Sequence, residues 1–230
     1  MTHQKIQVLD KGFVRLVDSM GTDLSIVRAA RVSYDGDWRT GEDEGKDEKL
    51  IQYLMKNKHT SPFEAVVFTF EVKAPIFVFR QWHRHRTWSF NELSARYAEL
   101  DEGFYVPAPK NIGVQSKNNK QVREIGGEPS LDQLWATSKI ERATDAMFSV
   151  YKELLDRGVP RELARSVLPV AAYSRMFATV DLHNLLHFLR LRTHSHSQYE
   201  IREYAFALLT LIRPVVPVTV EAFKSELGIP

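Results

Sequence analysis

The chain has 230 residues, 43% hydrophobic and 26% charged, enough for a single domain over residues 1–230 that buries roughly 70% of its unfolded surface. With 31 basic and 29 acidic side chains the net charge is only +2, which argues against a general binder of nucleic acid or membrane surface. Cysteine is absent, which excludes disulfides, thiolate metal sites and a catalytic thiol; residues 1–8 hold no signal-peptide core and no apolar run approaches the ~18 residues of a membrane span, so the reading is a soluble, cytoplasmic protein.

Residues 6–9 and 13–17 are short apolar runs, read as strands joined at Asp10-Lys11-Gly12, with Gly12 free to take positive φ. Asp23 opens a helix through Ala30. Residues 35–47 are polar and glycine-rich and read as a loop, and 48–56 as a helix with Leu50, Ile51 and Leu54 on one face. Ser61-Pro62-Phe63-Glu64 has the form of a capping box with proline at the first helical position. Residues 66–72 alternate as a strand, and 75–83 form a short helix that delivers Gln81 and Arg84 at its end. Residues 102–130 are polar and without period, the mark of a mobile functional loop. The longest helical pattern is 131–155, carrying Leu134, Trp135, Phe148, Tyr151 and Leu155; Gly158 and Pro160 mark its end and the next start. A strand at 175–180 precedes an amphipathic helix with Leu182, Leu185, Leu186 and Leu189 on one face, and 198–212 form another helix. The order is no regular βαβ alternation. It predicts an α/β (α+β) single domain, a central, mainly antiparallel sheet flanked by helices.

No G-x-G-x-x-G occurs, so a glycine-loop dinucleotide site is not expected; residues 41–46 are one short of a P-loop, and Asp47 stands where Ser or Thr would hold magnesium. His183 and His187 lie one helical turn apart as in zinc proteases, but Asn184 replaces the general-base glutamate, and His194 and His196 form a second suggestive pair. A polar helix face is the simpler reading, and no metal is expected. Five of the seven residues 80–86 are Arg or His, a crowding that is unfavourable unless an anion sits there, although a solvated basic face would read the same way. Residues 84–97 then mix three arginines with a glutamate, an asparagine and several hydroxyls, which suits a site that binds phosphate and orients a planar ring. Ser94 has no neighbouring base, so it reads as a hydrogen-bond donor rather than a nucleophile. Trp82, Trp88 and Phe90 offer stacking surfaces, which keeps open a nucleotide- or RNA-binding protein. A metal-dependent hydrolase is a weaker reading.

Arg84-His85-Arg86, seven residues and then Ser94 resemble the signature of the flavin-dependent thymidylate synthases; the longer form R-H-R-x-x-S-x-N-E-x-S-x-R-Y is matched at all nine fixed positions in fourteen residues. The resemblance runs from about Val8 to the C-terminal helices. It implies one α/β domain around a mainly antiparallel sheet, assembled as a homotetramer with active sites shared between subunits. It implies reductive methylation of dUMP to dTMP, with 5,10-methylenetetrahydrofolate as one-carbon donor, FAD as redox relay and NADPH as reductant, and no enzyme cysteine. It implies dUMP contacts at Gln81, Trp82, His83, Arg84, Glu92, Leu93, Ser94, Ala95, Arg96, Arg165 and Arg192. It implies FAD contacts at Ser33, His59, Ser61, Glu64, Arg84, His85, Arg86, Asn91, Glu92, Asp181, His183 and His187. Arg192 is implied as the catalytic residue, favouring loss of the uracil N3 proton, since a nearby positive charge lowers a pKa. Asp181 stands where the family often has asparagine, and His187 where asparagine also occurs; an ionised aspartate cannot donate a hydrogen bond.

Overall fold

The computed structural model describes residues 4–100 and 103–229, so residues 1–3 of the N-terminal stretch and residue 102 of the expected loop lie outside the described residues. Strands β1 (Lys5–Val8) and β2 (Gly12–Met20) form an antiparallel hairpin with Val8 opposite Gly12. The left-handed residue of this turn is Leu9, at φ 59°, rather than Gly12. Glycine is required at 12 for a different reason: a Cβ there would lie 2.0 Å from the Tyr204 hydroxyl and 2.8 Å from the Lys73 carbonyl oxygen.

Helix α1 (Asp23–Arg31) follows, opening at Asp23 as expected, with Thr22 at its N-cap. The expected loop at 35–47 is shorter than its polarity suggests: it contains a 3₁₀ turn at Asp37–Arg39, and helix α2 (Glu44–Lys56) starts four residues before position 48. The signal for that early start is Asp43, whose carboxylate caps the Lys46 amide at 3.1 Å. The capping box at Ser61 is not formed. Residues Ser61–Ala65 make a 3₁₀ helix with Thr60 at the N-cap and no side-chain capping bond, because the segment closes after one turn and gives way to a strand.

Strand β3 (Val67–Pro75), helix α3 (Ile76–Trp82) and strand β4 (Ser89–Glu92) come next. The strand β4, inside the arginine-rich motif, has no apolar alternation of its own to announce it. In the polar stretch after residue 103, β5 (Val114–Gln115) and β6 (Arg123–Glu124) form a small hairpin. The long helix is α4 (Leu131–Asp156), with a formed capping box between Ser130 and Gln133. After Gly158, at φ 79°, a short α5 (Arg161–Ala164) leads to β7 (Tyr173–Asp181), α6 (Leu182–Arg192), α7 (Tyr199–Ile212) and α8 (Pro217–Leu227). Helix α8 lies beyond the elements expected from the sequence.

The sheet runs β1-β2-β3-β7-β4, every pair antiparallel. Alternation sets its two faces. Phe68, Phe70 and Val72 of β3 and Met176, Ala178 and Val180 of β7 are buried against α3, α6 and α7. The opposite face carries the Arg15–Glu71 ion pair at 2.6 Å and the Thr69–Thr179 hydroxyl pair at 2.9 Å, and stays half open. Asp23 ties the two ends of the chain together: its buried carboxylate accepts from the Val218 and Thr219 amides and from the Thr219 hydroxyl, capping α8 from α1. Among the described residues no helix is long and apolar enough to cross a membrane.

Candidate functional site

The site is organised around the junction where α3 ends, β4 begins and α6 runs past both. Helix α3 starts from the end of β3 and turns at residues 82–85, where the His85 amide bonds back to the Trp82 carbonyl at 2.9 Å. Trp82 anchors that turn: it is fully buried, stacked on Phe188 at 4.9 Å and edge-on to Trp88 at 5.7 Å. Its side chain is therefore core rather than a ligand contact. Trp88 is buried as well, so the exposed aromatic platform that an RNA-binding reading requires is not present there. Ala95 is likewise buried, whereas Arg84 and Arg86 are exposed and have no ion-pair partner among the described residues.

The buried His85 is the pivot. Its Nε2 accepts a hydrogen bond from Arg192 Nε at 3.0 Å, and its ring sits 4.7 Å from Phe188 and 6.3 Å from His187. An arginine only donates, so the imidazole accepts at Nε2 and carries its proton on Nδ1. Burial, then the adjacent Arg192 charge and His187, push the imidazole down to about 4 from its usual 6.5. Arg192 is half-buried, and burial lowers it from its ordinary value, yet a guanidinium stays protonated in a protein. Its Nη2 also donates to the Gln81 carbonyl oxygen at 3.3 Å. No carboxylate pairs with Arg192 among the described residues, so its charge is left for something else.

Beside this pair, residues of the 58–63 segment face α6 across a groove of about 150 Å³ lined by Met55, Lys58, Thr60, Phe63, His183, Leu186, His187 and Arg190. His187 belongs to both the groove and the His85 cluster. The groove brings His183 and His187 next to the segment that carries the exposed His59, Ser61 and Glu64; the sequence reading missed Lys58, Thr60 and Arg190. Asp181 serves as the N-cap of α6: one oxygen accepts from the Asn184 amide at 2.9 Å and the other from its side chain at 2.6 Å. Both carboxylate oxygens thus have work within the helix. Ser33 lies in the exposed turn after α1.

The rest of the motif leads away from the groove. On β4, Ser89 pairs with Thr179 and Glu92 with Met176; the Leu93 amide bonds the Arg175 carbonyl at 2.8 Å. Asn91 and Glu92 are exposed on this edge strand, and by alternation they point to opposite faces. His83 is half-buried against Phe79 and Phe90. Ser94 and Arg96 sit beyond β4, toward the start of β7. There Arg96 faces Glu162 at 3.4 Å, and Arg165 shares with them an open concavity of about 570 Å³. Ser89 and Leu93, at the two ends of this run, are four residues of strand apart, roughly 13 Å. The expected nucleotide residues divide into two groups: Arg192 bonds the Gln81 carbonyl where α3 and α6 end, next to Arg84, whereas Arg96 and Arg165 line the concavity, with Ser94 bonded to the Arg96 amide.

Behind Gln81 lies a network that the sequence reading did not single out. Gln198 accepts from Gln81 Nε2 at 2.5 Å and donates to Glu200, which Arg123 of β6 grips with two bonds. The available signal was Glu200, an acidic residue opening a helix whose remaining buried positions are apolar. His194 and His196 contact each other at 4.7 Å in an exposed turn, and among the described residues no group of three or more His, Asp or Glu side chains forms a possible metal set.

Residues 15–218 match the family model described as thymidylate synthase complementing protein. The chain is 49% identical over 219 residues to a flavin-dependent thymidylate synthase of Thermotoga neapolitana, covering 95% of this chain and 94% of the relative. It is 48% identical over 221 residues to the protein of that name from Treponema denticola, covering 96% and 82%. Among solved structures, the UMP/dUMP methylase PolB from Streptomyces cacaoi bound with 5-Br dUMP superposes with a TM-score of 0.86 at 43% identity, over 96% of this chain and 97% of that one.

Proposed function

This chain belongs to the family of flavin-dependent thymidylate synthases, and on that premise we propose that it methylates dUMP to dTMP using 5,10-methylenetetrahydrofolate as the carbon donor and NADPH as the reductant. The observation that carries the reading is the Arg192–His85 pair. A carboxylate partner would neutralise the guanidinium. A neutral imidazole holds it in place and leaves its field undiminished. Beside a uracil, that field favours the ring anion over the protonated ring, which is what a chain with no cysteine nucleophile needs in order to raise the electron density of the ring.

The residues around the α6 groove fit a flavin nucleotide. Met55, Phe63 and Leu186 give the groove an apolar wall for a flat ring, while Lys58 and the exposed Arg84 and Arg86 supply cations for a pyrophosphate; Arg190 at its rim is already paired with Glu226. FAD, when bound, supplies the hydride chemistry. The protein's share is binding and orientation. His59, Ser61, Glu64, His183 and His187 hold the flavin side of the site, with Asn91 and Glu92 at the β4 edge. Ser94, Arg96 and Arg165 receive the nucleotide phosphate and sugar. Asp181 contributes indirectly, by fixing the start of α6.

A homotetramer with active sites shared between subunits is part of this reading. What supports it is the separation of Arg96 and Arg165 from Arg192 within one protomer, together with large apolar side chains left exposed on α4, Leu131, Leu134 and Trp135. The RNA-binding alternative is not favoured, since Trp82 and Trp88 are core.

The test is the visible absorption spectrum of the protein loaded with FAD, followed on addition of NADPH with and without dUMP. An oxidised-flavin band that bleaches with NADPH agrees with the reading. Failure to retain flavin under any loading condition contradicts it.

A further inference from the structure

We propose that Gln198 and Glu200 are positioning residues that fix which end of the Gln81 amide faces the nucleotide. The inference rests on the thymidylate synthase reading, in which Gln81 touches dUMP. Glu200 is 2% exposed, and its two oxygens receive four donors. Arg123 Nη2 and Tyr105 Oη bond Oε1 at 2.5 and 3.1 Å; Arg123 Nη1 and Gln198 Nε2 bond Oε2 at 3.3 and 2.8 Å. Burial alone would raise this carboxyl, but the Arg123 guanidinium and the Gln198 amide hold it below its ordinary value, so it stays ionised.

An ionised carboxylate only accepts. Gln198 must therefore turn its NH₂ to Glu200, and its carbonyl oxygen is left facing Gln81. That oxygen takes the Gln81 NH₂ at 2.5 Å. The polarity of the whole relay follows from the charge at its far end. With one N–H of its amide fixed on Gln198, Gln81 turns its side-chain oxygen, an acceptor, away from Gln198, with one N–H beside it. That oxygen favours a donor on the nucleotide, a sugar hydroxyl, over an acceptor at the same place. The relay also gives the polar stretch after residue 103 a role, because Arg123, the anchor of Glu200, sits on its hairpin.

The experiment is a reversal of the relay, read as dUMP dissociation constant, KM and kcat on the FAD-loaded full chain. Gln81→Glu sets a carboxylate against the Gln198 oxygen, and Glu200→Gln removes the charge that orients Gln198. Each should weaken dUMP binding by roughly tenfold or more, with a smaller change in kcat. The double variant allows the opposite polarity: Gln at 200 donates to Gln198, and Gln198 donates to Glu at 81. It should bind dUMP more tightly than either single variant. A double variant as weak as the product of the two single losses would overturn the inference and leave Glu200 as a clamp for the hairpin only. If Glu200→Gln does not fold, Gln198→Met removes the relay without touching the ion pair, and an unchanged dUMP affinity in that variant overturns the inference as well. Wild-type protein that binds dUMP but forms no dTMP would instead sink the functional reading, while the relay would still be measured in the affinities.

Discussion

Arg192 and His85 illustrate how a single pairing sets what a residue does. The guanidinium is half removed from water, and its partner contributes a lone pair but no charge. Replacing Arg192 by alanine should leave flavin binding intact and lower dTMP formation by about 10²–10³-fold, the usual cost of losing one preorganised electrostatic group. Retained turnover in a flavin-loaded Arg192→Ala protein would show that ring activation lies elsewhere. His85 makes a separate prediction for stability. Its imidazole titrates near 6.5 in the unfolded chain and is held down to about 4 in the fold. Between those values the unfolded chain binds the extra proton, so folding stability falls as pH falls through that window and levels off below it. His85→Gln, which keeps an acceptor for Arg192, should lose this dependence. Thermal melts of both proteins from pH 7 to pH 4 measure it, and a difference in Tm that does not change with pH would contradict the assignment.

At the level of elements, much of the fold was legible because its period was strong. The leucine face of α6, the long α4 and the alternating β3 each repeat one pattern over several turns or residues, and each formed where expected. The failures have local causes. The capping-box pattern at Ser61 appeared without a helix long enough to need it, and β4 is held by its pairing to β7 rather than by its own side chains. Asp23 opens α1 as expected, but its carboxylate also serves α8, 195 residues away along the chain, which no local pattern can reveal. The site was legible where a dense motif carried it. Gln198, Glu200 and Arg123 went unread because the network depends on three segments meeting in space. Asp23→Ala strips the N-terminus of α8 of its cap and should destabilise the protein by about 1–2 kcal/mol, lowering Tm by roughly 2–8 °C. Calorimetry that shows no loss would mean the α1–α8 tie is energetically silent.

At the scale of the whole molecule, the fold keeps two basic clusters apart, Arg192 at the end of α6 against His85 and Gln81, and Arg165 with Arg96 in the concavity after α5. If one nucleotide site draws Arg192 from one subunit and Arg165 from another, two inactive variants should rescue each other. Mixing Arg192→Ala with Arg165→Ala subunits under conditions that exchange protomers should restore up to roughly a quarter of wild-type activity on random assembly. No recovery, with exchange confirmed by mass, would place each site within one chain. The decisive measurement is dTMP formation by the purified, FAD-loaded protein given dUMP, 5,10-methylenetetrahydrofolate and NADPH, followed by chromatography. Net dTMP that requires all three additions is the predicted result. A protein that holds flavin and oxidises NADPH yet yields no dTMP would contradict the account.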